Sequence, residues 1–96
     1  MPQNTTIILP KSQWTLLTNN DVSGGVTFQN QSAYNISVLA TGTTTSPTSS
    51  SGALTYPPMS GELSDTSLAA LFPGIAGANR LWAFCDLEVK VMVSHA

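Results

Sequence analysis

The chain has 96 residues, of which only 3 are Lys or Arg and 5 are Asp or Glu, for a formal net charge of −2. An average soluble domain is about a quarter charged, so the polar surface must come instead from 12 Ser, 12 Thr, 6 Asn and 4 Gln. That length allows a single domain over residues 1–96, and three scattered cations, Lys11, Arg80 and Lys90, make no basic face for nucleic acid or an anionic membrane.

Met1-Pro2-Gln3-Asn4 lacks the charged and apolar regions of a signal peptide, which predicts a chain kept in a cytoplasm-like compartment. Thr5 to Leu9 is β-branched and apolar and stops at Pro10. It reads as a short edge strand or, over residues 1–10, as an extended N-terminal arm whose Ile7, Ile8 and Leu9 add a strand to a neighbour's sheet. Gln13 to Thr18 sets Trp14 and Leu16 on one face of a second strand, and Asn19-Asn20-Asp21 with Ser23-Gly24-Gly25 is turn chemistry. Val26 and Phe28 alternate with Thr27 and Gln29, and Asn30-Gln31-Ser32 turns the chain again. Tyr34, Ile36, Val38 and Ala40 then follow at strict period two, as in a half-buried strand.

Every residue from Thr41 to Gly52 is Ser, Thr, Gly or Pro, which predicts an exposed, flexible loop over 41–52. Ala53 to Tyr56 resumes a strand that Pro57-Pro58 must end. Ser64 or Asp65 is placed to cap a short helix through Leu68, Leu71 and Phe72, with Glu62 and Asp65 favoured by its dipole, and Pro73-Gly74 ends it after about a turn and a half. Between Leu71 and Ala78 only Pro73 is neither apolar nor glycine, yet the prolines and glycines forbid a continuing helix. Surface loops are normally polar. Leu71, Phe72 and Ile75 are therefore candidate docking residues, the alternative being a plug over one end of the core.

The tail carries the clearest strand pattern: Leu81, Ala83, Cys85, Leu87, Val89, Val91 and Val93 are all apolar at odd positions. Sixteen straight residues would run about 53 Å at about 3.3 Å each, against a diameter of roughly 32 Å for a globule of this size. The segment must bend or turn, with Cys85-Asp86 the expected place. Trp82, Phe84 and Met92 on the even face predict that its ends are covered on that side too. Turn-separated strands roughly every 8 to 12 residues point to an all-β fold, a small antiparallel β-sandwich or jelly-roll-like barrel with one short helix.

Catalytic chemistry is hard to find. The only histidine, His95, is the penultimate residue and reads as a surface or interface group without an orienting partner. Cys85, the single cysteine, sits in an apolar register as a small buried hydrophobe, and excludes an intrachain disulfide or a Cys-pair zinc site. Asp86 and Glu88 would share a strand face about 6.6 Å apart, but Lys90 follows on that face and makes it an ordinary salt-bridged stripe. The sequence reads as a non-enzyme with no catalytic residue, cofactor or metal. Trp14, Tyr34 and Trp82 offer a sugar-binding platform, although their apolar registers favour core packing.

The order of short motifs, Trp14-Thr15-Leu16-Leu17-Thr18, then Val26-Thr27-Phe28-Gln29-Asn30-Gln31-Ser32, Leu71-Phe72-Pro73-Gly74, Arg80-Leu81-Trp82-Ala83 and Val93-Ser94-His95-Ala96, resembles small structural proteins of tailed bacteriophages. The resemblance is spread over most of the chain in short motifs. It implies an all-β virion protein assembled in the host cytoplasm, most often a decoration (cement) protein that binds the outer head surface through the major capsid protein and stabilises subunit contacts. Neck, head-fibre or tail accessory proteins are the alternative it implies. Resemblance to capsid accessory proteins also implies homo-oligomers, trimers more often than dimers, and no catalytic residues. A small carbohydrate-binding β-sandwich is the competing reading from another class.

Overall fold

The computed structural model describes residues 3–22 and 24–96. Met1 and Pro2 of the expected arm and Ser23 of the expected turn lie outside the described residues. Among the described residues the chain forms eight strands: β1 (Gln3–Leu9), β2 (Thr15–Leu16), β3 (Thr27–Asn30), β4 (Ile36–Thr41), β5 (Leu54–Tyr56), β6 (Gly61–Glu62), β7 (Arg80–Phe84) and β8 (Val89–His95). One helical turn, α1 (Leu68–Leu71), lies between β6 and β7.

The strands make two antiparallel sheets with orders β1-β8-β3-β6 and β2-β7-β4-β5. First pairs with last throughout: β1 with β8, β2 with β7, β3 with β6 and β4 with β5. The chain is thus one long hairpin wound into two stacked sheets, which is the jelly-roll arrangement. The all-β sandwich with one short helix expected from the alternation is the fold adopted. Leu9, Phe28, Val89, Val91 and Val93 from one sheet meet Leu17, Ile36, Val38, Ala40, Leu81 and Ala83 from the other in a single core.

The apolar tail resolves as two strands in different sheets, because the longest dimension of the molecule is 29 Å. Cys85 to Glu88 carries the chain across from β7 to β8. Leu87, apolar and in register, is therefore exposed on the crossing. Asp86 and Glu88 are exposed there too, so they do not share a strand face as the uninterrupted pattern implied. On the even face Trp82 is buried, while Phe84 and Met92 are half-buried.

Some local expectations hold and several are corrected. Ser67, not Ser64 or Asp65, caps α1, its Oγ accepting from the Ala70 N–H at 3.1 Å. The Leu68 N–H is taken by the Gly24 carbonyl, which pins the start of the helix to the turn before β3, and the helix ends after one turn at Phe72, whose backbone is no longer helical. Tyr34 stands exposed before β4, because the turn through Asn30 to Tyr34 ends just ahead of the ladder. In the second strand Leu17 and Thr18 are buried while Trp14 and Leu16 are half-buried, since the latter pair faces away from the sandwich. Glu62 belongs to β6 rather than to the helix start. The Thr41–Gly52 stretch is an exposed loop apart from half-buried Thr41 and Pro47, tied locally by bonds such as Thr41 Oγ1 to Thr43 O and Ser51 N to Ser49 Oγ.

Candidate functional site

The residues with reactive side chains are dispersed and engaged structurally. His95 continues the inward register of β8 and is buried. Its Nδ1 donates to the Ala96 carbonyl at 2.9 Å, and Nε2 lies 2.9 Å from the Gln3 side-chain amide, tying the end of β8 to the start of β1. The expectation of an unoriented histidine thus fails, because pairing along β1 docks the strand end. Cys85 is buried and its Sγ donates to the Asn35 carbonyl at 3.5 Å. Among the described residues no three His, Cys, Asp or Glu side chains come together as a metal-ligating group.

The aromatic residues do not form one exposed platform. Leu16 and Leu39 flank Trp82 across the outer face of the second sheet. Trp82 is 7% exposed and its Nε1 donates to Thr41 Oγ1 at 2.9 Å. Trp14 tilts against Phe84 with ring centroids 5.3 Å apart. Of the three, Tyr34 alone is freely exposed, at 52%.

A buried polar hub organises one end of the sandwich. Asn30 is fully buried, and its Nδ2 donates to the carbonyls of Tyr34 (2.6 Å) and Tyr56 (3.0 Å). Its Oδ1 accepts from the Ser32 N–H (3.1 Å) and hydroxyl (2.6 Å). All four hydrogen-bonding positions of the amide are used, as a buried polar side chain requires. Nearby, the Tyr56 hydroxyl donates to Glu62 Oε2 at 3.1 Å, and the Tyr56 ring meets Phe28 edge-on at 5.0 Å. Burial, then the Glu62 hydrogen bond and charge, push the Tyr56 phenol well above its ordinary range. Sequence reading took Asn30 for a turn residue; its place at an inward position of β3, two after Phe28, is the signal that marks it.

What remains as candidate function is surface. A groove of about 500 Å³ opens beside β5, lined by Leu39, Leu54, Leu71, Phe72, Pro73 and Ile75 with Ser51, Gly52 and Gly74. Leu71 and Ile75 are half-buried and pack on the core, of which buried Phe72 is itself a member. The structure therefore brings Leu71, Phe72 and Ile75 together. Ile7, Ile8 and Leu9 lie on β1, of which Leu9 is buried in the core, Ile7 half-buried and Ile8 55% exposed. Because β1 pairs with β8 of its own chain along its whole length, the extended stretch is an edge strand of its own sheet.

Met59 is a surface residue that sequence reading missed. It is 65% exposed and adopts φ 64 in the turn closed by the Ser60 N–H on the Pro57 carbonyl. That left-handed geometry after Pro58 is the glycine position of a type II turn. Leu63, on the other side of β6, is similarly exposed. No helix among the described residues is long and apolar enough to cross a membrane. No protein-family model, no curated protein and no solved structure matches the chain.

Proposed function

We propose that this protein is a structural component of a bacteriophage virion, acting as a decoration protein that docks on the outer capsid surface and adds contact between capsid subunits. The observation that carries the reading is the eight-stranded jelly roll, an architecture on which viral capsid domains are built. The link is one of architecture, and it joins the order of short sequence motifs that resembles phage structural proteins. Lectins use the same architecture, but Trp82 is buried and Trp14 is held against Phe84, which favours the structural reading over carbohydrate binding.

Such a protein needs shape and hydrogen-bonding capacity, not reactive groups. Neutral Ser, Thr, Asn and Gln side chains give up water at lower cost than charges do. The groove around Leu71 and Ile75 supplies apolar area for a side chain of the capsid protein, and Met59 holds an apolar side chain outward in a conformation that glycine would adopt with less strain.

The test is copy number in purified particles, measured against the major capsid protein. Many copies spread over the head support decoration. A small ring of copies at one vertex selects the neck or tail alternative, and absence from the particle overturns the virion reading. Met59→Gly separates fold from docking: the isolated protein should be at least as stable, while occupancy on particles falls.

A further inference from the structure

We infer that β1 is an open pairing edge, through which two copies of this chain join antiparallel about a two-fold axis centred on Thr6. The inference stands on strand geometry and does not rest on the virion reading.

The four sheet edges are unequal. β2, β5 and β6 are two, three and two residues long, and shortness is one of the devices by which soluble proteins blunt an edge. β1 runs seven residues, Gln-Asn-Thr-Thr-Ile-Ile-Leu, with no charge and no proline inside it. Its register with β8 is unbroken from Gln3↔His95 to Leu9↔Val89, so no bulge twists it away. Among the described residues, the one edge long enough to need protection has no charge, proline or bulge within the strand.

The direction of the free backbone groups follows from the ladder. The Gln31 N–H bonds to the Lys90 carbonyl, so the even residues of β8 address β3 and its odd residues address β1. In β1 the odd residues Gln3, Thr5, Ile7 and Leu9 consequently face β8. Asn4, Thr6 and Ile8 present their N–H and C=O groups outward, and all three are exposed.

This edge is self-complementary. A two-fold axis at Thr6 sets Asn4 opposite Ile8 of the second copy, Thr6 opposite Thr6, and Ile8 opposite Asn4, each pair exchanging both backbone bonds. Between them, exposed Thr5 meets half-buried Ile7 of the second copy on the core side, covering both. Every facing residue is uncharged, so the symmetric placement of identical strands opposes no like charges, and a net charge of −2 adds little repulsion at range. The strand is already held at both ends, by the His95–Gln3 contact and by buried Leu9, so pairing does not have to order it. Such a contact is two-fold by symmetry and closes on a dimer, unlike the trimer that the phage resemblance implies.

A single strand pair buries less than a standard interface, so the association should be weak and visible as a rise in mean mass, toward that of a dimer, from micromolar to near-millimolar protein in sedimentation experiments. Thr6→Pro removes an outward N–H and no bond to β8, and should hold the protein monomeric; if that variant does not fold, Thr6→Lys, which sets two cations face to face on the axis, serves instead. Register is read by cross-linking. Opposed residues at Thr6 would have Cα atoms about 5.5 Å apart, within disulfide reach, whereas two copies of Asn4, displaced by four residues at about 3.3 Å each, would be roughly 14 Å apart. Thr6→Cys should therefore oxidise to a covalent dimer much faster than Asn4→Cys, with native Cys85 buried out of the way. A wild-type chain that stays monomeric throughout, a Thr6→Lys variant that associates as the wild type does, or equal cross-linking at the two positions overturns the inference.

Discussion

Replacing Asn30 by Ala removes an amide that makes four hydrogen bonds inside the sandwich. The four losses are unequal. Tyr34 is exposed and Ser32 half-buried, so their groups regain water, while the Tyr56 carbonyl belongs to a buried residue and keeps its place opposite Ile36 in the ladder but loses a second donor that water does not replace. With a net loss of about 1 kcal/mol for each hydrogen bond, and about 1–3 kcal/mol where a buried group is stranded, partial rehydration brings the total to about 3 kcal/mol. For a domain of this size that corresponds to a fall in Tm of roughly 12–24 °C, at about 4–8 °C per kcal/mol. It is a large share of a total stability of about 5–15 kcal/mol. Asn30→Asp keeps the shape but aims an oxygen at one or both carbonyls. Burial and those carbonyls would raise the introduced carboxyl above its usual value of about 3.9. A raised folded-state pKa means that the unfolded chain gives up its proton first, so the deficit against wild type should be smallest below about pH 4 and widen as pH rises toward the folded value. Thermal unfolding followed by near-ultraviolet circular dichroism, from acid to neutral pH, measures both. A fall in Tm below about 4 °C for Asn30→Ala, or a pH-independent deficit for Asn30→Asp, would refute the hub as a source of stability.

A Cβ at Gly61 would run into the Phe28 carbonyl, whereas nothing lies near a Cβ at Gly74; urea unfolding should show a loss of about 1–3 kcal/mol for Gly61→Ala and none, or a small gain, for Gly74→Ala. Tyr56 is raised above its ordinary 10.0 by burial and Glu62, so the stability it contributes is present below about pH 10 and lost as pH rises beyond that value. Tyr56→Phe should accordingly be less stable than wild type at neutral pH, with urea midpoints that converge above pH 10; parallel curves would exclude the Tyr56–Glu62 bond as the cause. Ile75→Asp places a carboxylate at the rim of the groove, where it reaches solvent, so the isolated protein should lose no more than about 1–2 kcal/mol while occupancy on particles drops. A loss of several kcal/mol without a change in occupancy would instead make the 71–75 loop a plug over the core.

The apolar run at Leu71, Phe72 and Ile75 stood out in the sequence because it interrupts a chain otherwise surfaced with Ser, Thr, Asn and Gln, and Pro73, Gly74 and Gly77 already ended the helix after Phe72 and placed Ile75 in a loop. Met59 and Leu63 gave no such signal, since a lone apolar residue in a turn is ordinary; only the left-handed backbone of Met59 and its exposure distinguish it. β6 was invisible for the same reason: two residues, one a glycine, carry no period, and they form a strand because Phe28 offers a ladder to Glu62.

The alternation in Ile36–Ala40 and Val89–Val93 determined the fold class and the buried face of each strand, because which side of a strand is apolar is local chemistry. Strand order was decided by tertiary structure alone. The tail has one apolar register from Leu81 to Val93, yet the dimensions of the folded chain divide it between two sheets, which exposes Leu87 and takes Asp86 and Glu88 out of any strand. The same winding brings Gln3 beside His95, from opposite ends of the chain, and makes a buried, hydrogen-bonded side chain of a histidine that sequence position alone leaves unoriented. Periodicity records what each residue needs around it, while the partner that meets the need comes from whichever distant segment the closed chain can carry there.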